Sequence, residues 1–182
     1  MKRIIALLVS IVLCIGVTNG SADASGVTIS GEGKTIGVTE SIDASYPPST
    51  NTNNYFNLST ANNYYTATLL DLAAACGSYT AKYFSTGTGA IFLKCDLLRS
   101  GTTDPVARQL TIRLFKRSGS SSNATLVSQE VINFSSDGTF RRAFMQLDTN
   151  CFYYIYFYNS SSTSPSSSRD ISGSIIVDDV YQ

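Results

Sequence analysis

Short runs in which apolar and polar residues alternate recur along the chain, separated by small or polar residues. In the clearest run, 109–114, leucine and isoleucine occupy every second position, and 91–97 shows the same spacing. A period of two predicts a strand with one face in the core. Similar patterns predict strands within 26–43, 55–58, 78–84, 126–134, 140–147 and 171–180.

The most apolar run outside the N-terminus is Cys151-Phe152-Tyr153-Tyr154-Ile155-Tyr156-Phe157-Tyr158. Aromatic and β-branched side chains favour a pleated, half-buried surface, so this run predicts a central strand. Successive side chains of a strand point to opposite faces. The more apolar face, predicted to lie in the core, consists of Cys151, Tyr153, Ile155 and Phe157. The other face consists of Phe152, Tyr154, Tyr156 and Tyr158.

One segment favours a helix. Thr66 to Cys76 is rich in leucine and alanine, which have good helix propensity, and Gly77 suits a helix C-cap. The pattern over 64–70 fits a strand equally well. We therefore predict one short helix near 66–76, with a strand over 64–70 as the alternative.

Turn residues punctuate the remaining chain. Pro47 and Pro48 lie in a polar loop, and Asp137-Gly138 is a pair typical of β-hairpins. Several strands at short spacing, joined mostly by turns, favour an antiparallel sandwich. The pattern thus predicts an all-β fold, a single jelly-roll-like sandwich domain over residues 25–182.

The N-terminus has a different character. Lys2 and Arg3 precede the uncharged apolar run Ile4 to Val17, and Ala22-Asp23-Ala24 follows as an A-x-A sequence. This order is typical of a secretory signal peptide over residues 1–24, and its short length is typical of bacterial leaders. The alternative is an uncleaved anchor, but the run is shorter than the roughly 20 residues that span a bilayer. We expect a secreted, extracellular protein without a membrane span after cleavage.

Composition excludes several classes of function. The 182-residue chain has a formal net charge of zero, so it lacks the basic balance of nucleic-acid-binding proteins. It has no histidine, which excludes a Ser-His-Asp triad, a Cys-His pair and imidazole zinc sites. It also has no tryptophan, so stacking on a ligand falls to tyrosine and phenylalanine. We expect neither catalysis nor a cofactor.

The predicted mature chain keeps three cysteines, Cys76, Cys95 and Cys151. Outside the cell they tend to pair, and three cysteines allow one bridge and one leftover thiol. Cys95 and Cys151 both fall on predicted core faces, which permits that pairing if their strands are neighbours. Cys76 is an equally good partner for either one. The alternative is three reduced cysteines that pack as small apolar side chains.

Charged residues indicate no catalytic or metal site. No two carboxylates stand out as the facing pair that glycoside hydrolysis requires. Asp178-Asp179, or Asp148 with Asn150, offer oxygen ligands for calcium, but without a recognisable loop pattern. The basic pairs Lys116-Arg117 and Arg141-Arg142 are interpreted as solvated strand ends, with an anionic ligand as the alternative.

The C-terminal part of the chain, from Leu147 onward, resembles a known class of protein module. Leu147, Tyr153-Tyr154-Ile155, Asn159 and Ser172-Gly173-Ser174-Ile175-Ile176-Val177 resemble the last two strands of secreted bacterial jelly-roll and carbohydrate-binding-type modules. The resemblance implies a fold and transfers no site residue.

Two functional hypotheses follow. The first is a secreted, non-enzymatic binding protein that recognises a glycan or a cell-surface component. Its candidate binding residues are Phe152, Tyr154, Tyr156 and Tyr158, because tyrosine combines a flat apolar ring with a polar tip. These rings otherwise pack against cross-strand neighbours. The second hypothesis is a self-assembling subunit of an extracellular matrix, fibre or surface layer, in which an arm such as 27–38 adds a strand to a neighbour.

Overall fold

The computed structural model describes residues 36–42, 46–50, 54–60, 63–101, 106–117, 123–163 and 168–181. The predicted leader over 1–24 and the arm before Ile36 lie outside these residues. The described part of the chain forms eleven strands and no α-helix. In chain order, β1 to β11 span Ile36–Ile42, Tyr55–Asn57, Asn63–Leu72, Gly77–Tyr79, Tyr83–Ser85, Ile91–Gly101, Arg108–Arg117, Thr125–Phe134, Gly138–Phe144, Phe152–Asn159 and Arg169–Asp178. These described residues contain no helix long and apolar enough to cross a bilayer.

The strands form two packed sheets, which confirms the predicted β-sandwich. Sheet A has the order β1-β3-β11-β6-β9, and sheet B has the order β2-β5-β10-β7-β8, with β4 also paired to β10. From β5 onward most connections cross between the sheets, as in a jelly roll. The pairing is mainly antiparallel, but β1 runs parallel to β3 and β2 parallel to β5.

The core lies between the sheets and follows the predicted alternation. The core includes Leu93, Cys95 and Leu97 of β6 and Ile112 and Leu114 of β7, all inaccessible or nearly so. Burying such side chains contributes about 1.5–3 kcal/mol each. One end of the core is aromatic, where the rings of Tyr65, Phe84 and Phe56 meet edge to face from β3, β5 and β2.

The predicted helix at 66–76 is wrong, and the strand alternative is correct. β3 hydrogen-bonds to β1 on one side and to β11 on the other, so its backbone groups are satisfied in a sheet. Tyr65, Ala67 and Leu69 point into the core with no exposed surface. Burial at every second residue matches a strand, and this packing overrides the helix propensity of the leucines and alanines.

The prediction of one strand over 78–84 needs a correction. The segment forms two short strands that pair with β10 through Tyr79 opposite Tyr156 and Phe84 opposite Tyr153. Tyr79 and Phe84 are two positions farther apart along this segment than their partners Tyr156 and Tyr153 are along β10. The segment therefore bulges between Tyr79 and Phe84. Thr80 fills the gap, because its hydroxyl accepts a hydrogen bond from the backbone N–H of Ile155 at 3.1 Å.

The Asp137-Gly138 turn is present, but it does not form a hairpin. β8 pairs within sheet B, whereas β9 pairs with β6 in sheet A, so the turn is a corner between the sheets. The Asp137 carboxylate accepts a hydrogen bond from the backbone N–H of Arg99 at 2.9 Å. The Arg99 side chain lies 3.7 Å from the same oxygen, which fixes the corner on sheet A.

Candidate functional site: the outer face of sheet B

The two faces of β10 separate as predicted. Tyr153, Ile155 and Phe157 are buried in the core, and Cys151 precedes them on the same side. The hydroxyl of Tyr153 donates to the backbone oxygen of Asp148 at 3.0 Å, so this buried phenol is satisfied. The prediction that this face lies in the core is confirmed.

The other side of β10 forms the outer face of sheet B, where the register brings further rings beside it. Tyr79 of β4 lies opposite Tyr156, and Phe115 of β7 lies opposite Tyr154. Tyr55 and Tyr83 are paired on the neighbouring strands β2 and β5. We call this set the aromatic face; it comprises Tyr55, Tyr79, Tyr83, Phe115, Phe152, Tyr154, Tyr156 and Tyr158.

Tyr154 is the centre of the aromatic face and is itself covered. Its ring stacks on Phe115 with centroids 5.1 Å apart and planes 9° apart. Tyr83 meets it edge-on at 5.7 Å, and Tyr79 lies 5.9 Å away. Only 5% of Tyr154 is exposed, and burial raises the pKa of its phenol to about 12. Tyr154 therefore holds strands together and offers no surface for a ligand.

Phe152, at the start of β10, has a similar packing role. Its ring meets Tyr55 edge-on at 4.6 Å, and Tyr55 stacks on Tyr83 at 5.3 Å. β2 and β5 have three residues each, too few for a stable strand pair alone. The aromatic contacts stabilise these short strands against β10.

Tyr156 and Tyr158 form the more open end of the aromatic face. Both are half-buried, and their rings stack with centroids 6.3 Å apart and planes 19° apart. Tyr79 approaches Tyr156 to 4.5 Å. Burial and the neighbouring Tyr79 phenol raise the pKa of Tyr156. We call Tyr79, Tyr156 and Tyr158 the tyrosine platform.

A glycine sets the position of the platform. A Cβ atom at Gly77 would lie 2.0 Å from the hydroxyl of Tyr156 and 2.3 Å from the ring carbon that carries it. The Tyr156 ring thus occupies the space that any side chain at Gly77 would take. This close approach explains why glycine stands beside β10 at this point.

Two arginines accompany the aromatic face. Arg117 is buried, donates to the hydroxyl of Tyr83 at 2.9 Å and lies over the Tyr83 ring. The Tyr83 hydroxyl in turn donates to the backbone oxygen of Pro48 at 2.8 Å. Arg113 lies beside the platform, with its guanidinium carbon 5.9 Å from the centre of the Tyr158 ring.

The interpretation of the basic pairs as solvated strand ends is therefore wrong for Arg117. Arg141 is exposed as predicted, but it lies in the middle of β9 and not at a strand end. Arg142 pairs with Glu130 at 3.6 Å and donates to the backbone oxygen of Val131 at 3.1 Å. Arg142 thus covers part of the otherwise open edge of β8.

Among the described residues, Cys76, Cys95 and Cys151 are free and form no disulfide, as in the predicted alternative of three reduced cysteines. Cys95 lies on β6 in sheet A and Cys151 precedes β10 in sheet B, so their strands are not neighbours. Both pack in the core, where burial raises the pKa of Cys95 to about 12. Cys76 is exposed beside the platform.

The carboxylates among the candidate calcium ligands already accept hydrogen bonds within the protein, and Asp179 accepts one from the Ser59 hydroxyl. Asp148 accepts a hydrogen bond from the N–H of Asn150 at 2.9 Å, which lowers the pKa of the carboxyl. Asp178 accepts from the N–H of Asp179 at 2.8 Å. Among the described residues, no three histidine, cysteine or acidic side chains are placed to share a metal ion.

The sequence alone did not identify Arg113 or four members of the aromatic face: Tyr55, Tyr79, Tyr83 and Phe115. Phe115 was detectable, since it follows Leu114 and so falls on the outer face of β7. Tyr79 and Tyr83 were not, because their positions depend on the bulge between β4 and β5.

Comparison with known proteins adds a loose likeness in fold. No protein-family model and no curated protein matches the chain. Among solved structures, the chain is similar to a carbohydrate-binding module titled "CBM4 structure and function". The match has 14% identity and a TM-score of 0.35, and covers 65% of this chain and 68% of that chain.

Proposed function

We propose that the protein is a secreted, non-enzymatic binding protein that recognises a glycan on the tyrosine platform. The observation that carries this proposal is the stacked, half-buried pair Tyr156 and Tyr158 on an outer sheet face. A sugar ring has an apolar face of C–H bonds and a rim of hydroxyls. Tyrosine matches both, with a flat ring and a phenolic hydroxyl.

Hydroxyl groups beside the platform support the same ligand class. Thr111 lies opposite Tyr158, and its hydroxyl is 2.8 Å from that of Ser160. The side-chain amide of Gln109 donates to Asn133 at 2.8 Å on the neighbouring strand. Rings flanked by neutral polar groups suit a ligand that is itself apolar on its faces and polar at its rim.

The lack of acids on this face favours binding over hydrolysis. Within the strands of sheet B, the one carboxylate is Glu130, and it pairs with Arg142 away from the platform. Glycoside hydrolysis requires two carboxyl groups on opposite sides of the scissile bond. Among the strand residues of sheet B, no pair of carboxylates lies beside the platform, and this supports binding as the proposed function.

Secretion is part of the proposal and rests on the leader-like residues 1–24. A glycan on a surface outside the producing cell is a natural ligand for such a protein. Mass spectrometry of the protein recovered from culture medium tests this part. A mature chain that begins near Ser25 supports it, and a protein retained in the cell with an intact N-terminus contradicts it.

A glycan panel tests the binding function. We expect the purified protein to bind at least one class of oligosaccharide, and the double variant Tyr156→Ala/Tyr158→Ala to bind about tenfold more weakly or worse. Thr66→Ala/Thr68→Ala, on the outer face of sheet A, is the matched control and should bind normally. Absence of binding by the wild type, or equal binding by both double variants, contradicts the proposal.

A second candidate, assembly into a surface layer, is favoured by the edge strand β8. Leu126, Val127 and Val131 of this strand are 49%, 42% and 36% exposed. An exposed apolar edge is a template for pairing with another chain. Light scattering tests this candidate: an oligomer that Val131→Lys dissociates supports it, and a strict monomer at high concentration contradicts it.

A further inference from the structure

Arg113 occupies a position beside the tyrosine platform that suits recognition of charge. It lies directly opposite Tyr156 across the β7–β10 pair, and its guanidinium is next to the Tyr158 ring. The guanidinium carbon lies over this ring, 5.9 Å from its centre, so a sugar that contacts the open edge of Tyr158 would have its substituents within reach of Arg113. Arg113 thus borders the surface on which the proposed ligand rests.

The guanidinium is held in place with part of its donor set unused. Its Nε donates to the side-chain oxygen of Gln129 on β8 at 2.8 Å. Its two terminal nitrogens make no hydrogen bond with the described residues. A guanidinium presents several N–H donors in a fixed fork that matches a carboxylate or sulfate. Gln129 therefore orients the fork before a ligand arrives.

The charge of Arg113 is not neutralised within sheet B. Glu130, on the adjacent strand, is paired with Arg142. In the strands of sheet B, no carboxylate faces the platform. Arg113 thus lies on an outer face on which the strands of sheet B place no carboxylate, and such a face favours a negatively charged ligand.

We propose that the ligand is an acidic glycan and that Arg113 selects it, an inference that rests on the proposed function of glycan binding. The platform stacks on a sugar ring, and the Arg113 fork binds a carboxylate or sulfate group carried by that sugar or its neighbour. The tyrosines supply affinity for sugar rings in general, and Arg113 supplies the preference for the acidic one.

Calorimetry with three oligosaccharides of matched length tests this assignment: one neutral, one containing uronic acid and one sulfated. We expect the wild type to bind at least one acidic ligand about tenfold more tightly than the neutral one. The two acidic ligands distinguish a carboxylate from a sulfate source. The preference should weaken as salt concentration rises, because an exposed ion pair is screened.

Variants separate this inference from the proposed function. Arg113→Gln should abolish the acidic preference and retain binding of the neutral ligand, which also shows that the variant is folded. Arg113→Lys keeps the charge but loses the fork, so it should retain part of the preference. Arg141→Gln, an exposed arginine on sheet A, is the matched control and should behave as wild type.

Equal wild-type binding of all three ligands would overturn the acidic assignment and leave glycan binding intact. A preference that persists in Arg113→Gln would overturn the role of Arg113. Failure of the wild type to bind any of a wide range of glycans would instead overturn the proposed function itself.

Discussion

The outer faces of the two sheets differ in a way that the fold does not require. The outer side of sheet A is mixed, with polar side chains such as Thr66, Lys94 and Arg141 and the apolar Phe92 and Ile176, whereas the outer side of sheet B carries eight aromatic rings. Both sheets bury an inner face of aliphatic and aromatic side chains in the shared core. The apolar core is common to both sheets, and the set of outer aromatic rings is what distinguishes sheet B.

The aromatic face itself divides into two parts. Around Tyr154, the rings are covered and join the short strands β2, β4 and β5 to β10. Around Tyr156 and Tyr158, the rings are half-buried and bordered by Arg113. We interpret the first part as structural and the second as the binding surface, and the predictions below test that division.

The largest expected effect is on stability at the covered part. Tyr154→Ala removes a ring with three aromatic neighbours and should lower the free energy of unfolding by about 3–5 kcal/mol. Thr68→Ala, at an outer position of sheet A, should change it by no more than about 0.5 kcal/mol. Urea denaturation measures both, and similar losses for the two variants would remove the distinction between the faces.

A smaller effect is expected at Gly77. Gly77→Ala forces the Tyr156 ring to move, since the new methyl would lie 2.0 Å from its hydroxyl. We expect a loss of about 1–3 kcal/mol of stability and weaker glycan binding.

Gly138→Ala is the control for Gly77→Ala, because its methyl would meet only the Phe140 ring at 3.6 Å. Unchanged binding by Gly77→Ala, with its stability also unchanged, would show that the Tyr156 ring does not depend on this glycine.

The smallest effect is a dependence of stability on alkaline pH. The folded pKa of Tyr154 is raised from 10.0 to about 12 because burial disfavours the charged phenolate. Its contribution to stability is therefore fully present below pH 10 and is lost as the pH rises from 10 to about 12.

Tyr154→Phe removes this titration, so its free energy of unfolding should fall less steeply over that pH range. The raised pKa of buried Cys95 also lowers the free energy of unfolding at alkaline pH. This loss is the same in the wild type and in Tyr154→Phe, so it cancels in the comparison. Parallel curves for the wild type and Tyr154→Phe would indicate that the Tyr154 phenol is solvated in the folded state.

Much of this fold follows from local pattern. The two faces of β10 were predictable because side chains alternate along any strand and only one face of Cys151–Tyr158 lacks a run of tyrosines. The strand at 63–72 was harder, because leucine and alanine favour a helix when considered alone. Its burial between β1 and β11 depends on residues more than twenty positions away, which no local pattern reports.

The site was less predictable than the fold. Whether Tyr154 is bare or covered depends on Phe115 and Tyr83, which reach it only through the sheet register. The position of Arg113 beside Tyr158 likewise depends on the pairing of β7 with β10. The aromatic run indicated where to look, and the register decided which of its tyrosines remain open to a ligand.

The central claim is that a glycan binds on the outer face of sheet B at Tyr156 and Tyr158. NMR of protein labelled in its tyrosine rings, titrated with an oligosaccharide that binds, tests it most directly. We predict that the ring signals of Tyr156 and Tyr158 shift with the ligand, while those of Tyr153 in the core and Tyr181 beside sheet A stay in place. Shifts confined to Tyr181, with Tyr156 and Tyr158 unchanged, would contradict the claim.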